Sequence, residues 1–187
     1  MQVSSAQPDK ATTESQHAPA PADIVPSGRS LTVLALVRIF FGLLWLQQLS
    51  WKMPPSFGGL RSYIEKEAHY TFVPGYSFIL KNVFLTHFSL LGASVWSAEL
   101  LVGLLLLFGL FTRFGALLAI VLSTQLYIGL AYAPGEWYWT YGMLILLGLA
   151  VAAVPAGRRL GIDQLLVAPL QRAARSHRLA RLASWFV

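Results

Sequence analysis

The sequence contains no cysteine. That absence excludes disulfide exchange, thiolate zinc sites and iron–sulfur ligation by this chain alone. It also excludes a four-span thiol oxidase, and it removes the usual clue to redox compartment. Charge is scarce as well: 12% of the residues are Asp, Glu, Lys or Arg, against 56% hydrophobic. A soluble domain of 187 residues has too little interior to hide that much apolar surface. Histidine is rare, and none of it falls in an apolar run: His17 and His177 are near the ends, His69 and His87 in a mixed stretch. Haem held between membrane helices, or a metal centre, is therefore not expected. The net charge is +6. The basic residues gather between Arg158 and Arg181, beside an apolar run. That placement suits anionic lipid headgroups and argues against a nucleic-acid partner.

What the chain does have is apolar residues in blocks. Residues 1–28 are rich in Ala, Pro, Ser, Thr and Gln without periodicity, and read as a disordered cytoplasmic tail. No short apolar core follows a basic start, so this is not a secretory signal. Four apolar runs follow, at about 31–50, 94–111, 114–133 and 137–154. Each is close to the ~20 residues that a membrane-spanning helix needs. The expected fold is all-α: an integral membrane four-helix bundle over 29–160, followed by a basic, helical cytoplasmic tail over 161–187. Between the first two runs, residues 51–91 carry Pro54, Pro55 and Pro74 and are too polar to cross. There GLRSYIEKEAHY and PGYSFILKNVFLTHF suit helices lying at the interface in a long extracytoplasmic loop. Trp137, Tyr138, Trp139 and Tyr141 form an aromatic belt.

Orientation follows from the basic residues. Arg158 and Arg159, with tail residues Arg172, Arg175, Arg178 and Arg181, mark their side as cytoplasmic. Arg113, in the tight turn between the second and third runs, agrees, and Glu136 lies outside. Both termini are then cytoplasmic. Lys52, Arg61, Lys66 and Lys81 in the first loop pull the other way, but that loop is long and also carries Glu65 and Glu67.

Two ionisable residues sit inside apolar runs, Arg38 in the first and Glu99 in the second. A charge in hydrocarbon costs several kcal/mol unless paired or hydrated, so each marks either a functional site or an ion pair that fixes helix register. Counted at ~1.5 Å per residue, Glu99 lies ~10 Å inside the outer edge and Arg38 ~10 Å inside the inner one, a gap that two long side chains nearly bridge. Lys52, at the outer end of the first run, can also reach back to Glu99. Arg38, Gly42, Trp45, Leu49 and Lys52 share one helical face, as do Trp96, Glu99, Gly103 and Leu106. A glycine on each face permits close approach, so the two faces are expected to meet around Glu99. Glu99 and Lys52 are the candidate catalytic pair. Arg38, Gln47, Gln48, Trp96, Gln125, Trp139 and Tyr141 are candidate lining residues of an outer pocket suited to a quinone head. A flat ring would sit between aromatics, its carbonyls accepting from Lys or Gln, beside a carboxylate able to move a proton. Singly, each has a plainer reading: Trp and Tyr as interface anchors, Gln as a helix–helix hydrogen bond.

Three segments together, LVRIFFGLLWLQQLSWKM, AELLVGLLLLFGLFTRFGALLA and WYWTYGMLILLGLAVAAVPAGRRLGID, resemble the DoxX/DoxD family of four-span membrane proteins. The likeness covers roughly 31–165. It rests on an Arg early in the first span and a Lys at its end, and on a Glu opening the second span before a Gly-Leu-x-Thr-Arg turn. The fourth span adds an aromatic start and a Gly-Arg…Asp close. The long aromatic loop resembles the DoxD branch. The resemblance implies a membrane subunit of thiosulfate:quinone oxidoreductase type, acting beside a DoxA-like partner with quinone as substrate. It places Arg38, Lys52, Glu99 and Arg113 at family positions. The leading expectation is a subunit that passes electrons from thiosulfate, or a related small reductant, to membrane quinone. Two others stay open: a non-catalytic scaffold whose tails recruit a soluble redox-stress partner, and a small-molecule carrier with Glu99 on its path, completed by homo-oligomerisation.

Overall fold

The computed structural model describes residues 28–174 and 177–187, which are helical with no strand among them. The Ala/Pro-rich 1–27 stretch and Arg175 lie outside the described residues, and with them the expected disordered tail. Helix α1 (Gly28–Gln47) continues through a turn into a short 3-10 segment, Ser50–Lys52. Helices α2 (Gly58–Tyr70) and α3 (Tyr76–Ile79) follow, with α3 running into a π turn at Leu80–Phe84. Next come α4 (Phe88–Phe108), α5 (Thr112–Leu130) and α6 (Tyr138–Ala153), then a 3-10 turn at Ala156–Arg158. Helices α7 (Asp163–Ala174) and α8 (Arg178–Trp185) complete the chain.

Three segments are long and apolar enough to cross a bilayer: Gly28–Lys52, Phe88–Phe108 and Thr112–Leu130. Helix α6 is equally apolar but has 16 residues. At ~1.5 Å per residue it reaches ~24 Å, short of a ~30 Å hydrocarbon core. The second apolar helix starts at Phe88 and not at Ser94, because Phe88–Ala93 is apolar too and Gly92 seats against the Phe57 ring. The outward faces stay apolar and uncovered, as at Val33, Phe40, Phe108, Val121 and Leu146. In water such a surface would be a liability; among acyl chains it is the required one.

Helix α1 packs along α4, and α5 along both α4 and α6. The centre is a core of Phe41, Val102, Leu106, Ala116, Ala119 and Val151, all fully buried. Gly42 lets α1 approach α4 closely. A Cβ there would lie 2.6 Å from the Leu107 backbone nitrogen and 2.9 Å from the Gly103 carbonyl oxygen. Helix α2 is more than a surface element. Its face Leu60, Ile64, Glu67 and Ala68 is buried, and with Phe57 and Leu80 it forms a satellite core.

At the other end of α4 the chain turns at Gly109 (φ +62°) and Phe111 (φ +45°). Asp163, fully buried, accepts hydrogen bonds from the backbone N–H groups of Phe111 (2.7 Å) and Thr112 (3.0 Å), so it caps α5 from the far side of the chain. Arg38 is fully buried in the same place. Its Nη2 donates to the Leu160 carbonyl oxygen at 2.8 Å, and Gly109 and Gly161 leave room for its guanidinium. The last helix is pinned here too: the backbone N–H of Arg113 donates to the Phe186 carbonyl oxygen, its Nη1 to that of Trp185 (2.9 Å), and Arg158 Nη2 to that of Val187 (3.1 Å).

Candidate functional site

The site begins where α1 ends. The 3-10 turn tips Lys52 back under the bundle, where it is 5% exposed. From α4, Glu99 meets it: the Lys52 Nζ stands 2.5 Å from both carboxylate oxygens. The two side chains are equally shielded from solvent, which removes the competition from water that weakens exposed pairs.

A second carboxyl arrives from α2. Leu60, Ile64 and Glu67 recur at helical spacing, so the face that buries the two aliphatics also carries Glu67 inward. Glu67 is 3% exposed. Its Oε2 accepts from Gln125 Nε2 on α5, which also donates to the Tyr76 hydroxyl at 3.0 Å. Gly129 makes the space: a Cβ there would lie 2.6 Å from the Glu67 Cγ. Burial pushes the Glu67 carboxyl up to about 8, against the opposing pull of the Gln125 hydrogen bond and the Lys52 charge. It is therefore mostly protonated at neutral pH.

Glu136, in the α5–α6 loop, behaves oppositely. Burial pushes it up, but hydrogen bonds from Lys66 Nζ (2.7 Å) and the Tyr141 hydroxyl (2.7 Å) prevail and hold it below the ordinary carboxylate range.

These groups surround one cavity of about 420 Å³. Its walls are aromatic (Trp45, Trp51, Tyr63, Trp137) and aliphatic (Leu44, Leu122, Leu126, Leu144). Trp51 is fixed by a 2.9 Å hydrogen bond from its Nε1 to Gln48 Oε1 and by the Tyr63 ring, 4.9 Å away centre to centre. Among the described residues that line the cavity, Lys52 is the only cation, and it is committed to Glu99. A small dianion finds no free positive charge here, whereas a neutral flat molecule finds ring faces, hydrogen-bond donors and acid groups. Among the described residues no cluster of three or more His, Asp or Glu could hold a metal ion.

Of the residues singled out in the sequence, the structure brings Glu99, Lys52, Gln48, Gln125 and Tyr141 together around this cavity. It places the others elsewhere. Arg38 does not meet Glu99: its guanidinium sits beside Gly109, ten residues further along α4, or ~15 Å of helix. Gln47 is exposed and does not line the cavity. Trp96 packs into the satellite core, its Nε1 buried without a hydrogen-bond partner among the described residues. Trp139 is half exposed and stacks edge-on against Trp137, which does line the cavity. Arg113 lies at the α4–α5 turn, bonded to the last helix. The sequence reading missed Glu67, Tyr76, Trp51, Tyr63 and Glu136 as site residues. For Glu67 the signal was present, because it falls on the apolar face of α2.

A family model described as "TQO small subunit DoxD" matches residues 61–184, which is most of the chain. No curated protein and no solved structure matches it. The matched segment holds Glu67, Glu99, Gln125, Glu136 and Tyr141, while Arg38 and Lys52 precede it. With three helices apolar and long enough to cross a bilayer, this is a multi-pass membrane protein. The chain belongs to the DoxD family.

Proposed function

We propose that this chain is the membrane subunit of a quinone-linked oxidoreductase of thiosulfate:quinone type, and that the cavity holds the quinone head group. One observation carries the reading. Two buried carboxyls, Glu67 and Glu99, bracket an apolar, aromatic-walled space that, among the described residues lining it, offers no free cation. Quinone reduction consumes two electrons and two protons. Glu67, protonated at neutral pH, supplies one proton to a reduced ring oxygen, and Glu99 supplies or relays the other while Lys52 balances its charge. The electrons come from a small reductant such as thiosulfate. That anion binds outside the cavity, on a surface completed by a DoxA-like partner, because inside it would face only a paired lysine. In this reading α6 is a fourth crossing, lengthened at its ends by Trp137 and Val154. Both termini then share the cytoplasmic side with Arg113, Arg158, Arg159 and the tail arginines.

The test is protein reconstituted in lipid with a membrane quinone, with and without the partner, followed by quinone absorbance on adding thiosulfate. Glu67→Gln and Glu99→Gln should each lower turnover about 100-fold, the usual scale for loss of a positioned acid. Absent quinone binding, together with undiminished turnover in both variants, sinks the proposal. A scaffold reading has its own support, since Leu179, Leu182 and Trp185 of α8 are exposed on a helix fastened to the bundle. Removing 177–187 should abolish a scaffold's partner binding and leave quinone binding intact.

A further inference from the structure

A second concavity, of about 280 Å³, lies on the outer side of α5. Ile120, Thr124 and Ile128 line it at four-residue steps, with Val121 and Gln125 beside them and Tyr76 across. Its surface is almost wholly apolar. The Thr124 hydroxyl is spent on the Ile120 carbonyl oxygen at 2.7 Å, so Thr124 presents its methyl group. Val121 is 62% exposed on a helix apolar and long enough to span. This groove therefore opens toward acyl chains.

Two residues, Tyr76 and Gln125, line both the groove and the cavity. Their 3.0 Å side-chain hydrogen bond is part of the wall between them. Tyr76 is the first residue of α3 and follows Gly75, whose φ of +82° and open surroundings leave that junction unpacked. Tyr76 itself packs against the edge of the satellite core, and its tie to α5 is the hydrogen bond from Gln125.

A membrane quinone has two chemically distinct parts, a flat ring with two carbonyls and a long hydrocarbon tail. The cavity suits the first and the groove the second, and they adjoin. We infer that the groove takes the isoprenoid tail of the quinone, and that the Tyr76–Gln125 pair is the threshold its head group crosses on entering from the bilayer. The inference rests on the quinone reading of the cavity. A phospholipid acyl chain matches the groove but has no head that would cross the threshold, so continuity with the cavity favours the quinone. Lipid tails already solvate an isoprenoid chain, so the groove contributes alignment more than hydrophobic affinity.

The experiment compares a long-tailed quinone with a tail-less head-group analogue, each bound to the full chain in nanodiscs. Val121→Trp fills the groove from an exposed position that the fold tolerates, and Val33→Trp, on another exposed apolar face, is the control. Val121→Trp should weaken the long-tailed quinone about tenfold and leave the tail-less analogue unchanged; Val33→Trp should change neither. A quinone carrying a photoreactive group on its tail should label residues 120–128, and excess unlabelled quinone should remove the label. Labelling elsewhere, equal weakening of both ligands, or a photoreactive fatty acid that quinone fails to displace would overturn the groove assignment while the head-group cavity stands. If neither quinone binds the unaltered chain, the reading of the cavity falls as well.

Discussion

Replacing Glu67 by Gln tests the electrostatics of the cavity without reference to any substrate. Burial raises the Glu67 carboxyl from an ordinary 4.5 to about 8. The folded state thus keeps a proton that the unfolded chain releases, and stability falls with pH wherever only the folded state holds it. The contribution is complete below about pH 4.5 and is lost as pH rises through about 8. One pH unit is worth about 1.4 kcal/mol, so the whole window amounts to about 5 kcal/mol, with about 3 kcal/mol gone by pH 7. The amide that Glu67→Gln introduces cannot titrate, yet its oxygen can still accept from Gln125. Thermal unfolding of detergent-solubilised protein between pH 5 and 9, at constant ionic strength, reads the effect. At about 2–4 °C per kcal/mol, the unaltered chain should lose about 10 °C between pH 5 and 8 and then level off. Glu67→Gln should be nearly flat over that window and should melt above the unaltered chain at pH 8. An undiminished slope in Glu67→Gln would show that a group other than Glu67 carries the titration.

Glu99→Gln leaves the Lys52 ammonium buried without its counter-ion and should cost about 3–5 kcal/mol in the same assay. The double variant Lys52→Met/Glu99→Leu should recover most of that loss. Gly109→Ala combines a left-handed backbone (φ +62°) with a Cβ that lands on the Arg38 guanidinium, so size-exclusion profiles should show little folded protein. Gly75→Ala, equally left-handed but in open space, should cost only about 1–2 kcal/mol. Asp163→Ala removes the acceptor for two backbone N–H groups at the start of α5 and should cost about 1–3 kcal/mol, visible as faster hydrogen exchange at residues 111–114.

Much of this architecture is legible in the sequence because lipid imposes a simple rule: a crossing segment must be long, apolar and helical. The contact between Lys52 and Glu99 follows from two faces that each carry a glycine, one ending in Lys52 and the other holding Glu99. Arg38 shares the first of those faces, and counting along the helix sets it too close to Glu99. Its partner is a carbonyl beyond α6, which no local pattern announces. Glu67 stayed hidden for a different reason. Its helix is polar overall, and only the spacing of Leu60, Ile64 and Ala68 around it shows that the acid faces inward. Gln125 lies on the third apolar run and reads alone as a helix–helix hydrogen bond; its partners come from 49 and 58 residues away, and tertiary structure alone supplies them.

The tether between Arg38 and Leu160 has a bearing on how the chain is made. Synthesis delivers the guanidinium with the first hydrophobic segment, while the oxygen it binds follows 122 residues later. Throughout that interval a cation must wait in or beside the lipid, drawn toward whichever headgroups or water it can reach. The packing of the first helix is therefore completed only when the segment carrying Leu160 folds back onto it.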